Sequence, residues 1–92
     1  MIGVLTIEAI IYDAQSLKEK RGVLKSVITR LRDRLNISVS ETGHQNVWQR
    51  TEITIASVSS DRTRVEQELN RALHFIDSVP EIETASVQWE WF

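Results

Sequence analysis

The sequence predicts an α+β sandwich with element order β-α-β-β-α-β, and three observations predict it. Four stretches rich in β-branched and apolar residues (2–12, 36–42, 47–58 and 82–91) are separated by turn residues. Two others, about 17–34 and from Asp61 to about 78, repeat their apolar residues at helical spacing. The 92 residues are 41% hydrophobic with one proline and three glycines, which suits one core and one domain, residues 1–92.

Residues 2–12 read as a central strand whose Leu5, Ile7, Ala9 and Ile11 share one wholly apolar face. Asp13-Ala-Gln is a turn. Ser16 then stands three residues before Glu19, the capping-box spacing: the serine oxygen accepts from the Glu19 amide and Glu19 reaches back to the Ser16 amide. Helix 1 carries Leu17, Leu24, Val27, Ile28, Leu31 and Leu35 in one stripe, and Gly22 opposite it costs about 1 kcal/mol relative to Ala. Residues 36–42 place Ile37 and Val39 inward. Gly43-His-Gln-Asn turns the chain into 47–58, where Ile53 and Ile55 oppose Trp48, Arg50, Glu52 and Thr54. Ser59, Ser60 and Asp61 offer N-caps for helix 2, which buries Val65, Leu69, Ala72, Leu73 and Ile76 and stops before Pro80. The last strand, 82–91, puts Ala85, Val87, Trp89 and Trp91 on one side. The simplest assembly is a ferredoxin-like sandwich: a four-stranded antiparallel sheet, strands 1 and 3 central, both helices on one face.

Composition excludes several function classes. Zero cysteines remove disulfides, thiolate metal sites and a cysteine nucleophile. No apolar run nears the ~20 residues of a membrane span, and no signal peptide is evident, so a cytoplasmic protein is expected. His44 and His74 lie far apart without metal-ligand spacing, and neither a serine-nucleophile elbow nor a glycine-rich phosphate loop occurs. An acylphosphatase, which shares this fold class, is excluded because the loop Asp13-Ala-Gln has neither glycine nor arginine. Glu8, Glu52 and Glu90 read as partners for Arg50 in a cross-strand network rather than as catalytic acids. No enzyme activity, cofactor, metal or small-molecule substrate is expected.

The net charge of −2 hides an asymmetry. Segment 16–34 holds seven bases against Glu19 and Asp33, a local +5 on a remainder of −7. Lys18, Arg21, Lys25 and Arg32 fall within about 60° on one flank of the apolar stripe; Lys20, Arg30 and Arg34 take the other. Two readings stand: bases whose stems cover the core edge with wet heads, or an anion-binding surface whose affinity falls with salt. A second surface is the open sheet face, expected to present Val4, Ile10, Tyr12, Trp48, Ala56, Val58 and Phe92. It lacks the basic-aromatic strand of RNA-recognition motifs and suits self-association or a protein partner. In the hairpin, Glu41 points inward and needs turn amides or His44 as partners.

Ser16-Leu-Lys-Glu-Lys-Arg21, the spacing Glu41-x-x-x-Gln45-x-x-Trp48-Gln49 and Val58-Ser-Ser-Asp61 together resemble the YlxP-like family of small bacterial proteins of unknown function. Glu52 and Thr54 depart from the aliphatic residue and glycine expected there. The resemblance implies a ferredoxin-like fold and no established activity. It also implies a role near ribosomes, since genes of the family often sit beside translation initiation factor two and ribosome-binding factor A. Carried onto this chain, it singles out Ser16, Lys18, Lys20, Arg21, Glu41, Gln45, Trp48 and Gln49. The resulting expectation is a non-enzymatic accessory protein binding ribosomal RNA or a ribosomal assembly through helix 1, the hairpin adding Gln45 and Trp48. The alternative is a homodimer or protein-binding module built on the open sheet face.

Overall fold

All six expected elements form, in the expected order. The computed structural model describes residues 1–92. Its elements are β1 (Ile2–Ile10), α1 (Leu17–Arg34), β2 (Ser38–Gly43), β3 (Arg50–Val58), α2 (Arg62–Asp77) and β4 (Glu83–Trp91). The sheet is antiparallel throughout with order β2-β3-β1-β4, so β1 and β3 are central and both helices cover one face. This is the ferredoxin-like sandwich.

Period-two alternation sets the two sheet faces. Leu5, Ile7 and Ala9 of β1 and Ile53 and Ile55 of β3 are buried under the helices. Their neighbours Val4, Thr6, Glu8, Glu52, Thr54 and Ala56 point to the uncovered face and are only half-buried. From above, α2 contributes Val65, Leu69, Ala72 and Ile76, and α1 contributes Leu24, Val27 and Leu31. Each helix packs mainly on the sheet and touches the other little.

Several boundaries differ from the sequence expectation, each for an identifiable reason. β1 ends at Ile10: the Ile11 amide still donates to Gln49 O (2.9 Å) in register, but the Ile11 carbonyl accepts from the Ala14 amide (3.3 Å) as the chain turns at Tyr12. β3 begins at Arg50, so Trp48 lies in the hairpin loop and not on the sheet face. In β4 a bulge falls between the residues facing Glu8 and Ala9. Val87, Trp89 and Trp91 keep the helix side, but Ala85 is displaced and exposed, and Thr84 takes its place opposite Ala9. The Ser16 cap forms as expected, its hydroxyl accepting from the Glu19 amide at 3.1 Å. Glu19, however, reaches back to the Gln15 amide (2.8 Å), one residue beyond the expected Ser16. Asp61 caps α2 by accepting from the Thr63 amide at 3.0 Å.

One close approach fixes how α2 sits on β1. A Cβ added at Gly3 would lie 2.6 Å from Val65 Cγ1, 2.9 Å from Trp91 Cζ3 and 3.0 Å from Leu69 Cδ1. Val65 and Leu69 are fully buried and have nowhere to move. Gly3→Ala is therefore expected to lower stability by about 1–3 kcal/mol through overpacking, read as a shift of the denaturant midpoint with an unchanged slope. Gly22 is the opposite case: a Cβ there meets nothing within 4 Å.

Candidate basic helix and hairpin surface

Helix α1 turns its buried stripe further toward Lys20 than its apolar residues alone indicate. Lys20, Leu24, Val27 and Leu31 form the centre of that stripe, while Leu17, Ile28 and Leu35 are half-buried at its edges. Relative to this centre, Lys18, Arg21, Lys25 and Arg32 lie roughly 90–150° around the helix, on its outer side, and all four are exposed. The row runs about 21 Å along the axis at the helical rise. Lys18, Arg21 and Lys25 make no ion pair. Arg32 donates one N–H to Val39 O at 3.0 Å, which aligns the row with the outer edge at β2.

Lys20 does not belong to that surface. Its side chain has 0% exposure, and its Nζ lies 2.9 Å from Glu41 Oε2 and also donates to the carbonyl of His44. A phosphate cannot reach it, which corrects its expected place among the anion contacts. Glu41 is inward as expected, but its partners are Lys20 and the Thr51 hydroxyl (2.7 Å), not turn amides or the His44 ring. An ammonium and a carboxylate leaving water together need this matched geometry, or the desolvation cost exceeds their attraction.

The rest of the hairpin is held from within. His44 adopts a left-handed backbone (φ 58°), and its carbonyl accepts from the Val47 amide at 3.0 Å. Gln45 donates to Glu41 O at 3.1 Å. Gln49 donates to the carbonyls of Tyr12 (2.9 Å) and Ala14 (3.3 Å), clamping the β1–α1 turn. Glu41, Gln45 and Gln49 thus shape the loop, and Trp48, 52% exposed, is what the loop presents. The hairpin and the first turns of α1 share one end of the sheet, joined by the Lys20–Glu41 pair, so Trp48 lies at the same end as Lys18 and Arg21.

On the uncovered sheet face Glu8 stands directly opposite Glu52. Their repulsion is relieved separately: Glu8 meets His44 Nε2 (3.3 Å) and Arg50 (3.4 Å), and Glu52 accepts from Thr42 (2.7 Å). Of the expected cross-strand network around Arg50 only the Glu8 pair forms: Glu52 turns to Thr42, Glu90 stands opposite Val4 and makes no ion pair, and His44 joins Glu8, a member that sequence alone gave no reason to include. The expected aromatic content of this face is not found. Tyr12 and Trp48 lie in loops at one end, and Phe92 follows β4 at the other.

Tyr12 spans the sheet end to β4, its hydroxyl donating to the Glu83 carboxylate. That hydrogen bond, then local desolvation and the Glu83 charge, raise the phenol above its ordinary 10.0. The raised pKa means the neutral form is favoured in the fold. Its stabilising effect is present below 10.0 and is lost as pH climbs past the raised value. Tyr12 is the sole tyrosine, so phenolate absorbance reads it alone. It is expected to titrate above 10.0 and to return toward it in Glu83→Gln; an unchanged midpoint in that variant contradicts the bond.

No helix is long and apolar enough to cross a membrane. In comparisons with known proteins, the chain is 56% identical over 92 residues to the uncharacterized protein YlxP of Bacillus subtilis (strain 168), covering 100% of both chains. Its fold matches the de novo designed protein Foldit4 with a TM-score of 0.63, covering 100% of this chain and 99% of that one; at 16% identity this likeness shows the fold alone. A family model described as a protein of unknown function (DUF503) matches residues 2–89. With that match spanning nearly the whole chain, and a full-length relative named YlxP, the protein belongs to the DUF503, or YlxP-like, family.

Proposed function

We propose that this protein is a non-enzymatic cytoplasmic accessory factor that binds structured RNA or a ribosomal assembly through the outer face of α1. One observation carries the reading: Lys18, Arg21 and Lys25 form an exposed row with no ion-pair partner on a chain of net charge −2. Stems that merely cover a core edge need not share one line. A row of like charges held on a rigid helix costs mutual repulsion, which a polyanion removes by releasing its own counterions. Arg32 extends the row, since one N–H is used on Val39 and the guanidinium has five. Trp48, exposed near the start of the row, supplies a flat ring on which a base stacks. The acidic remainder confines any RNA contact to this helix and the adjoining hairpin.

The test is co-sedimentation with ribosomal particles at low salt, with and without nuclease. The protein is expected in the particle fraction, released by nuclease, and weakened by the paired change Lys25→Glu/Arg32→Glu. Absence from that fraction at low salt refutes the reading.

A second reading, self-association, is favoured by a different observation. Met1, Ile2, Val58 and Phe92 are exposed apolar residues gathered at the sheet end away from the hairpin: Ile2 pairs with Val58 and exchanges backbone hydrogen bonds with Phe92. Val4 and Ala56 continue this patch onto the open face. Light scattering decides it; a strict monomer at high concentration removes the homodimer.

A further inference from the structure

Helices α1 and α2 both sit on the sheet yet barely touch each other, and a groove runs between them. It consists of two open hollows, about 190 and 280 Å³, that meet at Arg30 and Phe75. Leu31, Leu35 and Phe75 give the first a mainly apolar floor, whereas the second is mixed, with Val23, Val27 and Val79 set among Ser26, Ser78 and Glu81. Arg30, Arg34 and Arg71 rim the first hollow. Arg30 and Arg34 are exposed and make no ion pair; Arg34 lies 5.9 Å from the centre of the Phe75 ring. Arg71 meets Glu68 at 3.1 Å but stays 65% exposed with donors to spare. Glu68 also accepts from the Asn36 amide at 2.8 Å. At the other end the second hollow is bounded by Glu81.

We infer that this groove docks an acidic amphipathic helix of a partner protein. From Val23 to Leu35 the groove extends about 18 Å, the length of roughly three helical turns, with apolar side chains recurring along it. A helix with apolar residues at i, i+3, i+4 and i+7 lays them along such a floor. Carboxylates flanking that stripe meet the guanidinium groups of Arg30, Arg34 and Arg71, whose planar donors pair with carboxylates in two-pronged fashion. The positive N-terminal end of the occupant belongs toward Glu81. An open groove does not enclose a small ligand, and the Leu31, Leu35, Val23 and Val79 side chains between the arginines gain more from an apolar stripe than from a sugar-phosphate chain. A second copy has no such helix to give, because α1 is basic and the apolar face of α2 is already packed. The groove lies on the flank of α1 opposite the Lys18–Arg32 row, so it is separate from the RNA surface.

The test is fluorescence anisotropy with three labelled peptides of equal length: a Leu/Glu amphipathic helix with the stated spacing, a scramble of it, and a version with Lys for Glu. The first is expected to bind, the other two about tenfold more weakly or worse. Arg30→Glu/Arg34→Glu should weaken the first about tenfold, whereas Lys18→Glu/Lys25→Glu should leave it unchanged. Circular dichroism verifies that both variants, altered only at exposed positions, are folded. The inference is overturned if the first peptide fails to bind, if all three bind alike, if the two double variants weaken binding equally, or if an RNA hairpin displaces the peptide.

Discussion

Glu41→Ala is expected to lower the unfolding free energy by about 3–5 kcal/mol. The change strands the Lys20 ammonium, which has 0% exposure, with only the His44 carbonyl as a partner. It also removes the acceptor of the buried Thr51 hydroxyl. Against the roughly 5–15 kcal/mol that holds a domain together, this is the costliest single truncation considered. Lys20→Met is expected to be costly in the same way, leaving the Glu41 carboxylate largely buried with one neutral donor. Combining Lys20→Met with Glu41→Leu should recover much of the loss, because a buried pair exchanged for apolar groups of similar size is often neutral. Denaturant unfolding of the parent, the two single variants and the double variant measures the coupling directly. A loss below about 1 kcal/mol in Glu41→Ala contradicts a buried, mutually dependent pair.

Reversing Lys18, Arg21 and Lys25 together to Glu should produce the opposite pattern: little change in stability and a collapse of RNA binding. All three are exposed and unpaired, so the fold is expected to shift by no more than about 0.5 kcal/mol for each. Three phosphate contacts become three repulsions, and affinity for ribosomal RNA at low salt should fall about a hundredfold or more. Unchanged melting with lost binding separates a surface role from a structural one. A variant that binds RNA as tightly as the parent removes α1 as the contact.

Local periodicity carried most of the fold. Each strand and helix overlaps the stretch its period-two or helical spacing indicates, and the caps Ser16 and Asp61 mark both helix starts. What periodicity missed depends on pairing between distant residues. Lys20 lies at helical spacing from Leu24, Val27 and Leu31, yet its charge placed it outside the core; only Glu41, arriving from β2, makes its burial tolerable. Trp48 alternates correctly with Arg50, but Gln49 is drawn off to the carbonyls of Tyr12 and Ala14 and the strand starts late. Ala85 has the inward parity until the bulge in β4 displaces it. At the candidate surface, the wheel correctly grouped Lys18, Arg21, Lys25 and Arg32. Separating Lys20 from them, and joining Arg71 to Arg30 and Arg34, required knowing how α1 sits against the sheet and α2.

The most direct measurement is the affinity of the unaltered protein for a ribosomal RNA fragment as a function of salt. The four proposed phosphate contacts, one each from Lys18, Arg21, Lys25 and Arg32, would set a log–log slope of about −0.7 to −0.9 per contact. Between 50 and 200 mM salt, binding should therefore weaken roughly 50- to 150-fold, with a clearly shallower slope when Lys25 and Arg32 are changed to Glu. No binding at the lowest salt, or an affinity that does not respond to salt, would contradict phosphate recognition by this helix.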